Sequence, residues 1–236
     1  MSAEAIVRQS VVDVLEERLR TSILDGALQP GSLLPPEREL AASYGVTRTT
    51  LKHALSRLEQ AGLPRTRPGV GTPGPDFLQS GGAALLPLLG GRDGRWLSDV
   101  FEARRAIGAV IARKAAAECD TAQAAPLRAA VDAVAGAPDP AAAQLAELEV
   151  HRELARTTGN RVYVLLTNTL LTAYLPGRPL MITSFAGPAT VADRVRQVVD
   201  PVADGGADEA GRAADDYSRL TAQEMAADLA RHERRR

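Results

Sequence analysis

The stretch GVTRTTLKHALSRLEQAGL, residues 45–63, limits the fold of this chain more than any other. On a wheel at about 100° per residue, Leu51, Leu55 and Leu58 fall within about 60° of one another, with Ala54 beside them. That stripe predicts an amphipathic helix with one buried face. Arg48, Thr49, Lys52, His53 and Ser56 fill the opposite arc. A helix whose outer face is merely solvated mixes glutamates among its cations. This arc instead gathers donors near the helix N-terminus, where they suit phosphate oxygens and the acceptors on base edges.

The flanking residues narrow the reading further. A short helix is predicted from near Pro36 to Gly45, followed by the tight turn SYGVT. Two helices so joined form a helix-turn-helix, whose second member enters the major groove of double-stranded DNA. Thr47 is expected to cap that second helix, and Gly62 to stand just past its end. The segment PRTRPGVGTPG holds too much proline and glycine for a helix and suits a hairpin. Arg65 and Arg67 then project from one face of a strand. Gly69 and Gly71 let the backbone approach a phosphate or the minor groove closely. From Arg48 to Arg67 five cations stand against one anion, Glu59, in a chain of formal net charge −1. The positive charge is therefore local, which is the form that phosphate binding requires.

From Leu97 onward strand signals nearly vanish, and alanine-rich stretches with leucine and valine at helical spacing predict a bundle. With 45% hydrophobic residues the chain carries enough apolar surface for a sizeable core. The fold expected is mainly α. A winged helix-turn-helix spans residues 1–74, a linker 75–95, and an all-helical effector-binding and dimerisation domain 96–236. A single cysteine, Cys119, excludes an intrachain disulfide. The N-terminus lacks a signal-peptide pattern, and no apolar run reaches about 18 residues. A soluble, cytoplasmic protein with no membrane partner is expected.

Inside the bundle, polar residues on apolar faces mark the candidates. Glu147 and His151 lie about 40° apart on one helix, flanked by Leu148, Val150, Leu154 and Ala155. Buried polar groups need partners. The pair is either two ligands of a divalent metal, the wall of an effector pocket, or a structural pair satisfied within the bundle. Arg104 falls between Val100, Gly108 and Ile111, so it points inward and requires an anion: Glu147, another acid, or an effector carboxylate. Asn160, in TTGN, reads as a helix C-cap.

Residues 8–74, with LRTSILDGALQPGSLLPPERELAASYGVTRTTLKHALSRLEQAGL at their centre, resemble the winged helix-turn-helix of the GntR family of bacterial transcription regulators. The resemblance implies DNA contacts from Arg38 of the ERELA helix, from Thr47, Arg48 and Thr49, from Lys52, and from the wing glycines Gly69 and Gly71. Three positions depart from the family pattern. Pro36 stands where a serine cap is usual, at a cost of about 1 kcal/mol. Lys52 replaces an arginine and loses bidentate recognition of guanine. Pro64 interrupts the first wing strand.

The segments LSDVFEARRAIGAVIARKAA and ELEVHRELARTTGN resemble the FCD type of effector domain in the FadR subfamily. That resemblance implies a homodimer and a small effector, with a carboxylate the favoured class. FCD domains that bind metal use an aspartate and a histidine spaced as Glu147 and His151 are, plus two later histidines. Those later positions fall near Val195 and near Tyr217 or Ser218, and none is a replacement ligand. No cofactor is required, and a divalent metal of Zn or Ni type would find an incomplete ligand set.

The leading expectation is a ligand-responsive regulator, a repressor by family habit, that binds a near-palindromic operator as a homodimer. The alternatives are a constitutive DNA-binding protein whose helical domain only dimerises, and an enzyme using Glu147, His151 and Arg104. No nucleophile motif or phosphate loop supports the enzyme. A dry, filled bundle favours the constitutive protein, and a polar cavity at Arg104, Glu147 and His151 favours the sensor.

Overall fold

The computed structural model describes residues 10–24, 35–60, 82–86 and 94–234, and these are helices, turns and connections with no strand among them. They divide into two compact units, broken between Leu85 and Leu86. The predicted wing, with Pro64, Arg65, Arg67, Gly69 and Gly71, and the predicted end at Gly62 lie outside the described residues.

In the first unit, α1 (Val11–Leu24) buries Leu15, Leu19 and Ile23, which recur every fourth residue. Ser10 begins it with a reciprocal cap: its hydroxyl accepts from the Asp13 N–H at 3.2 Å, and the Asp13 carboxylate accepts from the Ser10 N–H at 2.9 Å. Helix α2 (Glu37–Ser43) starts at Pro36 with no side-chain cap. It ends in a turn where Gly45 takes φ +66, a left-handed value that other residues adopt only under strain. Helix α3 (Arg48–Gln60) buries the predicted stripe, Leu51, Ala54, Leu55 and Leu58, against α1 and α2. Thr47 caps it as expected, accepting from the Thr50 N–H at 3.1 Å.

The second unit is a helical bundle. Its helices are α4 (Gly94–Glu118), α5 (Thr121–Ala135), α6 (Pro140–Thr157), α7 (Arg161–Tyr174), α8 (Pro188–Ala203) and α9 (Ala207–Glu233). A 3-10 segment, Leu175–Phe185, joins α7 to the residues before α8 and buries Met181 and Phe185. Helix α9 runs along α4, α8 lies against α5, and α6 touches α4, α5, α7, α8 and the 3-10 segment. Central placement makes α6 the helix whose inward side chains meet the most neighbours.

Local chemistry sets the corners. Asp120 and Gln123 form a capping box on α5, at 2.8 and 3.1 Å. Asp139 caps α6 through the Ala142 N–H at 2.8 Å, with Pro140 in the first turn. The α6–α7 corner corrects the sequence reading of Asn160. It is not a C-cap: α6 ends at Thr157 with Thr158 as its C-cap, Gly159 takes the left-handed φ of +65, and Asn160 caps α7 by accepting from the Val162 N–H at 2.9 Å. Asparagine serves both ends of helices, and here the neighbouring glycine takes the C-terminal role. Asn160→Ala is expected to cost about 1 kcal/mol, readable as a lower urea midpoint at unchanged slope.

Candidate functional site

Two groups of side chains carry chemistry, one in each unit. In the first, Arg38 on α2 and Thr47, Arg48, Thr49, Lys52 and His53 at the start of α3 are all exposed. One carboxylate sits among them. Glu37 Oε2 on α2 lies 3.1 Å from Arg48 Nη2 and 3.6 Å from Lys52 Nζ. The third cation of α3, Arg57, contacts α1, at 2.6 Å from Asp13 Oδ1 and 3.6 Å from Glu16 Oε2. The charge excess counted along the sequence is therefore corrected: folding brings three carboxylates from other helices against Arg48, Lys52 and Arg57. Arg48 and Lys52 are each 62% exposed, so their pairs with Glu37 are weak and can be exchanged for a stronger anion.

The second group centres on Glu147, which is fully buried. The α6 turn places Glu147 and His151 on one face, and they bond to each other, Glu147 Oε1 to His151 Nε2, at 2.6 Å. The Tyr217 hydroxyl, on α9, donates to the same oxygen at 2.9 Å. Arg104 Nη2, on α4, lies 3.6 Å from it. Burial pushes the Glu147 carboxyl pKa up, but His151, Arg104 and the Tyr217 hydroxyl outweigh it and hold it down to about 2. Its other oxygen, Oε2, is buried without a hydrogen-bond partner. Burial and the adjacent Glu147 charge push the Tyr217 hydroxyl well above the usual phenol range, so it remains a donor.

A second layer holds Arg104. Its guanidinium lies over the Tyr174 ring, 5.3 Å from the centroid. The Tyr174 hydroxyl is in turn bonded by the amide of Gln144, which also donates to the Arg178 carbonyl at 3.1 Å. Gln144 and Glu147 are three residues apart on α6 and both fully buried. The cluster thus ties α4, α6, α7 and α9 through charge and hydrogen bonds.

Beside this cluster is a cavity of about 50 Å³. Arg104, His151, Tyr217 and Ser218 are among its polar lining residues, and Ile111, Leu154, Leu171, Val195 and Val198 among its apolar ones. Glu147 is not part of the wall and stands behind the residues that are. The sequence reading found Arg104, Glu147 and His151, and the structure brings all three together. It did not assign roles to Tyr174 and Gln144, which it could have found only from their helical phase, as polar groups on buried faces.

A metal does not fit this donor set. Glu147 and His151 are bonded to each other, Val195 offers no donor, and Tyr217 is held as a neutral phenol. Among the described residues no three His, Cys, Asp or Glu side chains are grouped so as to hold a metal ion.

Comparison with known proteins assigns both units. Residues 12–73 match the bacterial regulatory proteins of the gntR family, and residues 99–219 match the FCD domain. The chain belongs to the GntR family. GntR relatives include the HTH-type regulator Rv0494 of Mycobacterium tuberculosis, 39% identical over 67% of this chain and 66% of that protein. Mce2R of the same species is 30% identical over 93% of both chains. The fatty acid metabolism regulator protein of Edwardsiella ictaluri is 35% identical over 72% of this chain and 71% of that one. The solved structure of Lar, which controls expression of the Listeria monocytogenes agr system, shares the fold with TM-score 0.61 at 15% identity. That match covers 92% of this chain and 97% of Lar.

This GntR chain is a transcription regulator of the FadR type with an FCD effector domain, not an enzyme. GntR regulators bind DNA through the helix-turn-helix and effectors through the FCD domain. Among the described residues no helix is long and apolar enough to cross a membrane.

Proposed function

We propose that the chain is a repressor that binds a near-palindromic operator as a homodimer and responds to a small monocarboxylate held without metal in the FCD cavity. The observation that carries this reading is the mixed lining of the cavity: one guanidinium, Arg104, with the hydrogen-bonding groups of His151, Tyr217, Ser218 and Thr167, among mostly branched aliphatic side chains. Arg104 is the group that meets the effector carboxylate. His151, Tyr217 and Ser218 fix its orientation, and Glu147 holds His151 and Tyr217 in place. A polyacid would place its further charges against Val195, Val198 and Leu171, where nothing compensates them. The name of the fatty acid metabolism regulator relatives points to the same class, an acid with an apolar body. At about 50 Å³ the cavity suits a short body.

In this reading Arg38, Thr47, Arg48, Thr49, Lys52 and His53 face the operator; Arg65, Arg67, Gly69 and Gly71, expected to contact DNA from their sequence, lie outside the described residues. Effector binding changes operator affinity only through its preference for one of two states of the dimer.

Thermal unfolding with added acids tests the effector. A short aliphatic or aromatic monocarboxylate at about 100 times its Kd adds about 2.7 kcal/mol, a rise in Tm of roughly 5–10 °C. Citrate and divalent metal salts leave Tm unchanged, and Arg104→Met removes the response. A rise produced by metal alone defeats the metal-free reading. The mutual bonding of Glu147, His151 and Tyr217 favours a second reading, in which the cluster is structural and the domain only dimerises. Absence of any response to acids selects it.

A further inference from the structure

Helix α4 carries a glycine, Gly108, near its middle, and its φ is not one of the left-handed values that favour glycine. A glycine inside a helix is destabilising relative to alanine, because its backbone loses more freedom on folding and it has no side chain to pack. Close packing is one reason to keep such a residue. Gly211, on the facing helix α9, shows that reason: a Cβ there would lie 2.4 Å from Arg113 Nε and 2.5 Å from its Cγ. Gly108 is the opposite case. Apart from the backbone of its own helix, a Cβ there would meet one heavy atom of the described residues within 4 Å, Ser218 Oγ at 3.9 Å. An alanine would fit without displacing anything, so packing within the folded chain does not account for the glycine.

The open place at Gly108 is part of the effector cavity. Arg104, Gly108 and Ile111 are four and three residues apart, share one face of α4 and line the cavity together with Ser218 of α9. A space of about 50 Å³ holds about four groups the size of water. One methyl group is a large part of that. A side chain at position 108 and a ligand that reaches Arg104 therefore compete for the same room. Water is a poor occupant, since a buried water takes about three hydrogen bonds and Ser218 Oγ is the one polar side-chain atom within 4 Å of that place.

We infer that Gly108 is a specificity-determining residue of the effector site. With the carboxylate on Arg104, the carbons next to it occupy the place that a side chain at position 108 would fill, and the missing Cβ sets how large that part of the acid can be. The inference rests on the monocarboxylate reading above. It adds that the glycine is kept, against its cost to the helix, as room for the body of the acid.

Titration calorimetry of the full-length protein with the straight-chain acids from acetate to octanoate tests this, together with thermal unfolding in the absence of ligand. Gly108→Ala is expected to raise Tm of the unliganded protein by roughly 2–4 °C, as an alanine placed in open space inside a helix should. It is expected to bind the acid that wild type prefers about tenfold more weakly or worse, to change acetate binding less than about threefold, and to move the preference to a shorter acid. Gly108→Leu is expected to bind none of the series, with unchanged far-UV helicity. A lower Tm for unliganded Gly108→Ala means that the place is not free and overturns the inference. So does equal weakening of every acid, or a wild type that binds acetate best. If Gly108→Ala binds each acid as wild type does, the glycine does not bound the site, and the effector reading stands without it. A wild type that binds no acid of the series defeats the effector reading, and the role of Gly108 with it.

Discussion

Replacing Glu147 with alanine is expected to destabilise the helical unit by about 3–5 kcal/mol. The carboxylate is fully buried, and the Arg104 side chain that it faces is only 13% exposed. Removing one member of a buried ion pair leaves the other uncompensated, and that penalty is larger than the net value of the pair. The Tyr217 hydroxyl would lose its acceptor at the same time. Two companions isolate the cause. Glu147→Gln keeps shape and an acceptor for Tyr217 but removes the charge, so it should cost less than alanine. Glu147→Met combined with Arg104→Met removes both charges at similar volume and should recover most of the loss. Urea unfolding followed by circular dichroism reads all three.

Acid gives the same pair an independent signature. The Glu147 carboxyl is held at about 2 in the folded chain, against its ordinary value of 4.5. A lowered folded-state pKa adds stability above the unfolded pKa, and that stability is lost as pH falls from about 4.5 toward 2. The difference corresponds to about 3 kcal/mol. Wild type should lose this much more stability than Glu147→Gln between pH 5 and pH 2. Equal losses would mean that Glu147 is not held as an anion.

The sequence revealed some of this plainly and hid the rest for definite reasons. Leu51, Leu55 and Leu58 share one face, so α3 and its outward cations could be placed by angle alone. Glu147 and His151 stood out because charge on an apolar face is costly, and that cost predicts burial with partners. The identity of a partner depends on tertiary packing, so the Tyr217 hydroxyl, 70 residues from Glu147, could not be read from periodicity. The same limit hid Glu37, Asp13 and Glu16: charge counted along one window omits carboxylates that folding brings from other helices. Asn160 was assigned to the wrong end of a helix because its preference is shared by both ends, and only the φ of Gly159 separates them. The 3-10 segment Leu175–Phe185 went unassigned because its prolines and short repeat give no helical period.

Replacing Arg48 with alanine is expected to weaken operator binding by at least about 30-fold. A good bidentate contact from an arginine to a base discriminates by about 1–3 kcal/mol, and the homodimer proposed above would lose one in each half-site. The measurement is a titration with a fragment that the wild-type protein selects from random-sequence duplex DNA, at fixed salt. Arg57→Ala is the decisive control. Arg57 lies on the same helix with the same charge, but it contacts Asp13 and Glu16 of α1 and is placed for holding two helices together. If α3 acts through general positive charge, the two alanine variants weaken binding equally, and the slope of affinity against salt changes for both. If Arg48 reads bases, it alone lowers the preference for the selected fragment over random duplex, while Arg57→Ala lowers both affinities little and together. Equal losses from the two would remove Arg48 from base recognition and leave α3 a phosphate-binding helix.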